Sequence, residues 1–178
     1  MKKLNQTVLA ACVAALAFGA VSGEAQADEG MDIAAGVMGG VTINLDADED
    51  SSSIPLGVDG RIGFGVADGI DLVINPAVSA YLLEDGYSAF VFDANVLGQF
   101  DLDAVAPYVG AGVGLYMFSP DFDEADTETD IAINVLAGTS IDLDAPVAPF
   151  VQAKFSQVLV DPESVSELSV LAGVHYNF

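Results

Sequence analysis

Apolar and polar positions alternate along this chain with a period of two. Between Tyr108 and Met117 the odd positions are Val109, Ala111, Val113, Leu115 and Met117, and the even ones are Tyr108, three glycines and Tyr116. Near the C-terminus, Leu168, Val170, Ala172, Val174, Tyr176 and Phe178 share one parity, and Ser169, Leu171, Gly173, His175 and Asn177 the other. Successive side chains of a strand point to opposite faces, and a helix would not keep this register. The same pattern predicts eight strands, over about 31–45, 54–67, 70–83, 87–101, 106–118, 130–142, 147–160 and 167–178. Each exceeds the ~9–11 residues that a tilted strand needs to cross a bilayer.

The connections alternate as well. Those at 68–69, 102–105 and 143–146 are short, and those at 46–53, 84–86, 119–129 and 161–166 are longer or more polar. Short turns at one end and polar loops at the other describe an up-and-down meander, and an even strand number lets it close. The expected fold class is therefore all-β, an eight-stranded antiparallel up-and-down transmembrane barrel. Two of the short connections carry nearly the same words, "DLDAVAPYV" from Asp101 and "DLDAPVAPFV" from Asp142. They read as turns of successive hairpins, with proline at a strand start, where its missing N–H does least harm.

Charge placement tests this reading. Deep within the runs the charged residues are Asp59, Arg61, Asp93 and Lys154. All four have the parity opposite to their large apolar neighbours, such as Val58, Phe92 and Phe155, so they face the interior, where a charge escapes lipid. Each lies a similar distance from its short-turn end, which predicts one ion network in the lumen. Asn75, Asn95, Asn134 and Gln152 share the inward parity and extend it. A soluble lipocalin-like barrel would place these charges outside. Phe64, Phe100, Tyr176 and Phe178 are outward near the short turns, where an aromatic girdle belongs.

Composition changes the picture in two ways. The chain is 52% hydrophobic yet carries a net charge of −23, from 27 acids and 4 bases. Residues 1–27 read as a signal peptide: Lys2 and Lys3, an apolar run from Val8 to Val21, and the small-x-small site Ala25-Gln26-Ala27. Leu9 to Cys12 fits a lipoprotein box, but the apolar run continues past Cys12, which reads as part of that run. The barrel domain is then 28–178, with Arg61 and Lys154 as its basic residues and no cysteine for a disulfide framework. Nucleic acid is excluded as a partner, because phosphate binding needs lysine and arginine.

Three features resemble the small eight-stranded outer-membrane barrels of the OmpX/opacity-like superfamily. They are the signal segment, the strand phrase Ala106-Pro107-Tyr108-Val109-Gly110-Ala111-Gly112-Val113-Gly114, and the end Gly173-Val174-His175-Tyr176-Asn177-Phe178. The last is similar to the terminal assembly signal, with Gly173, Tyr176 and Phe178 as its key positions. The resemblance implies export to a bacterial outer membrane and insertion by the barrel-assembly machinery with periplasmic chaperones. Lipid and lipopolysaccharide would surround a monomer. The unusual acidity reads as adaptation to a salty habitat.

Reactive chemistry is sparse. Some barrels of this kind modify lipid A, but His175 lies at the short-turn end, away from the outer leaflet, and reads as a polar lumen residue. Asp46-Ala47-Asp48-Glu49-Asp50 starts like a calcium loop, then has Ser51 where glycine and Gly57 where glutamate are needed. Asp46, Asp48, Asp50, Asp121 and Asp123 are thus weak cation candidates in acidic loops, and no cofactor is expected. Inward glycines at 63, 65, 110, 112 and 114 would leave local voids for Tyr108, Tyr116 and Phe150 to fill. The expected function is structural or surface-interactive, in adhesion or envelope integrity. The alternatives are a narrow porin-like channel and a lipid-modifying enzyme.

Overall fold

A computed structural model describes residues 31–46, 52–82, 88–119, 128–160 and 164–178. They form eight strands: β1 Met31–Asn44, β2 Ser52–Ala67, β3 Ile70–Leu82, β4 Ser88–Phe100, β5 Val105–Ser119, β6 Glu128–Ile141, β7 Val147–Leu159 and β8 Ser164–Asn177. Each pairs antiparallel with the next, and β1 pairs with β8, which closes the barrel. The all-β, eight-stranded antiparallel expectation therefore holds. The N-terminal segment, Cys12, and Asp48, Asp50, Asp121 and Asp123 lie outside the described residues.

β2, β6 and β8 start two or three residues before the alternation does. Apart from Val165 their extra residues are polar, and they still pair: Ser52 with Ile43, Glu128 with Phe118, and Ser164 with Leu159. Alternation marks where the outer face is apolar, while the ladder needs only backbone groups and runs on past that band. Outward parity carries the large apolar side chains around the whole circumference; Val37, Val113, Ile133 and Val170 are each more than half exposed.

The two copies of the repeated phrase share a left-handed aspartate but close differently: Leu102 bridges Val105 in the first, and the second, one residue longer, has no such bridge. Asp103 and Asp144, the second aspartates of the two copies, have φ of 60° and 53°, and Gly69 occupies the corresponding region in the β2–β3 turn at 70°. Aspartate tolerates this left-handed region better than most residues. In the second copy the Asp142 carboxylate accepts the Asp144 N–H at 2.9 Å. Backbone bonds then link turn to turn around the rim, from Asp101 N–H to Gly69 C=O and from Asp142 N–H to Ala104 C=O, each 3.0 Å. Asp144→Ala is expected to cost about 1 kcal/mol, and Asp144→Gly to cost nothing or to stabilise. Urea unfolding of both variants checks this; an equal loss in both would show that the aspartate side chain, not the backbone angle, matters.

Candidate functional site

The interior is filled in layers. Toward the loop end, Tyr81, Ala89, Val91, Tyr116, Ala132 and Val158 form one apolar cluster. Toward the short-turn end, Val73, Leu97, Tyr108 and Leu136 form a second. Between them lies a belt of buried polar side chains. The inward glycines of β5 leave no voids there, because the register sets each against a larger inward residue of β4: Gly110 against Leu97, Gly112 against Asn95 and Gly114 against Asp93.

The ion network separates into distinct clusters. In the first, the Lys154 ammonium reaches from β7 to Asp93 on β4, with Nζ to Oδ2 at 2.7 Å, and both side chains are 3% exposed. Asn134 donates to the other carboxylate oxygen at 2.8 Å. In the second, His175 Nε2 lies 2.9 Å from Asp59 Oδ2, and Asn75 also donates to Asp59 at 2.9 Å. Asn95 adds longer contacts to Asn75 at 3.4 Å. His175 belongs to β8 and Asp59 to β2, so the pair bridges over β1. Gly36, paired with both, makes the bridge possible: a Cβ there would fall within 2.6 Å of the Asp59 carboxylate and clash with the imidazole ring.

Arg61 stands apart from both, contrary to the expectation that it joins the aspartates. Its Nη1 donates to Gln99 at 3.1 Å and to Ser140 at 3.2 Å. Its guanidinium lies 4.3 Å from the centre of the Tyr108 ring, a cation–π contact. Tyr108 in turn donates to Gln152 at 3.2 Å, so Gln152 serves this cluster instead of an aspartate. Side-chain length and the arrangement of strands around the lumen decide this outcome, because parity says which way a side chain points and not what stands opposite.

Two positions carry more than the alternation suggested. Pro76 interrupts β3 opposite Gly60, and the β2–β3 ladder skips from Asp59↔Ala77 to Ile62↔Ile74. Proline has no N–H to offer, and the Asn75 side chain replaces it by donating to the Gly60 carbonyl at 2.9 Å. A proline inside an otherwise regular strand pattern is the sequence signal for this gap. His175 is the second: Phe150 stacks on its ring at 4.2 Å and 13°, and the ring is buried. Gly173 lies under that stack, where a Cβ would meet the Phe150 ring at 2.6 Å. Tyr176 and Phe178 are outward and pack edge to face at 5.2 Å.

The arrangement neutralises charge and braces the wall. His175 has its Nε2 engaged by Asp59 and one ring face covered by Phe150, which fits a packing role better than proton transfer to a substrate. Asp46 accepts the Ser166 N–H at 2.5 Å and so ties the first loop to β8. Among the described residues, no group of three or more potential metal ligands converges.

No protein-family model and no curated protein sequence matches the chain. Solved structures do. The neisserial surface protein A, NspA, aligns with a TM-score of 0.63 at 17% identity, over 83% of this chain and 97% of that one. Ail, the attachment invasion locus protein of Yersinia pestis, gives 0.59 at 15%, over 84% and 99%. The outer membrane enzyme PagL gives 0.56 at 16%, over 80% and 97%. At these identities the likeness is one of fold, and the fold is that of the eight-stranded outer-membrane β-barrels.

Proposed function

We propose that this chain, exported by its N-terminal segment, is a bacterial outer-membrane barrel that serves as a closed scaffold. Its role is in surface contact or envelope integrity, with its acidic loops presented outside. A surface protein, an attachment protein and an enzyme all share the fold, so fold alone does not choose among these roles. The observation that carries the reading is the filled lumen. Two apolar clusters close it above and below a buried polar belt, as expected of an eight-stranded interior, which holds side chains and no channel. The apolar outer face supports the membrane location, since a continuous exposed apolar surface marks a contact with lipid or another protein.

Gel migration and conductance test it together. The folded protein from the membrane fraction is expected to shift its migration on boiling, and the purified barrel to give no discrete conductance steps in planar bilayers. A soluble, unshifted protein would end the membrane reading. Regular conductance steps in a shifted protein would leave the membrane location standing and overturn the closed scaffold.

A further inference from the structure

Arg61 is a buried cation that forms no salt bridge among the described residues. It is 8% exposed, and its Nε has no hydrogen-bond partner. Among the described residues the acid–base contacts within salt-bridge distance are Lys154–Asp93 and His175–Asp59, and Arg61 is in neither. Buried charges are ordinarily paired, because desolvation is not repaid otherwise. Gln99 and Ser140 supply neutral acceptors and Tyr108 a ring face, and no carboxylate makes direct contact with the guanidinium among the described residues.

The same side chain lines a vestibule of about 320 Å³ that also touches Gln99 and Ser140. This cavity lies at the short-turn end of the barrel. Its outer wall carries Asp32, Asp71, Asp101, Asp103 and Asp142. A guanidinium thus stands at the inner end of a chamber whose mouth is ringed by carboxylates. A simple anion would be repelled at the mouth, and a simple cation would be held there without relieving Arg61.

We propose that the vestibule binds a small zwitterion of amino-acid or dipeptide size, with its carboxylate on Arg61 and its protonated amine among the rim aspartates. The volume is at the lower end of the range for small-molecule sites. Guanidinium and carboxylate make strong charge-assisted bonds, and the two ends of the ligand meet charges of the correct sign in the correct order. In the orientation given by the proposed function, the opening faces the periplasm, but the vestibule belongs to the barrel itself.

The test uses full-length barrel in detergent micelles, accepted only after its gel shift shows that it is folded, so that failure of the barrel reading is seen separately. Dialanine is titrated and followed by NMR shifts of Gln99, Ser140 and Asn177, beside acetate and ethylammonium as single-charge probes. Saturable dialanine binding is expected, with both single-charge probes at least about tenfold weaker. Arg61→Gln is expected to weaken dialanine by about tenfold or more. Should that variant not fold, Asp71→Asn with Asp101→Asn at the rim replaces it, and a several-fold loss is expected. No saturable dialanine binding overturns the proposal. So does acetate or ethylammonium binding as tightly as dialanine, or dialanine binding that neither the Arg61 variant nor the rim variant changes.

Discussion

Replacing Lys154 with methionine is expected to destabilise the barrel by about 3–5 kcal/mol, the cost of leaving one member of a buried ion pair alone. Methionine keeps much of the side-chain bulk and lacks the charge. Asp93 would then stay buried with only the Asn134 amide as partner. The pair itself need not be worth that much, because both ions are desolvated where they sit. Removing both charges should therefore recover most of the loss: Lys154→Met with Asp93→Asn keeps an acceptor for Asn134 and buries no unpaired charge. Urea unfolding of wild type, both single variants and the double variant in lipid vesicles completes the cycle. If Lys154→Met alone unfolds at the wild-type urea concentration, the Lys154–Asp93 contact carries no structural weight and the belt is not a brace.

The strands and their facing were legible because burial in a barrel repeats every two residues, and the alternation is local. Asp59, Arg61, Asp93 and Lys154 could be assigned inward from their immediate neighbours, and all four do line the interior. Which partner each one meets was not legible. Lys154 meets Asp93 across the lumen, and His175 meets Asp59 across β1 only because Gly36 leaves room. These contacts depend on how the eight strands are staggered as the sheet closes, a quantity that no single stretch of sequence encodes. The same reason explains the glycines of β5, which looked like voids along their own strand. They are the sockets for Leu97, Asn95 and Asp93 of the next strand. His175 read as a lone polar residue because its partners Asp59 and Phe150 lie 116 and 25 positions away.

On the opposite side of the wall the rule is reversed, and Val113→Arg is expected to cost about 2–4 kcal/mol. Val113 is 56% exposed, outward, in the middle of β5, and flanked by the apolar partners Ala94 and Ile133. In hydrocarbon the new guanidinium would have to be buried among acyl chains or drag water and headgroups toward mid-depth. Val66→Arg provides the comparison. That valine is also outward and exposed, but sits one residue from the end of β2 at the short turn, where the cost should fall to about 0–1 kcal/mol. Depth is the variable, since both changes add the same charge to the same kind of exposed valine. Unfolding in lipid vesicles measures the two side by side. A soluble barrel would tolerate both equally, because arginine on a water-exposed strand costs little. An equal, small effect at Val113 and Val66 would therefore remove the membrane from the account of the outer face. Arg61 shows why position decides. It is the same residue type, turned inward toward Gln99, Ser140 and the Tyr108 ring. The wall thus separates two environments, and one step in parity is the difference between a charge that the barrel holds and one that it cannot.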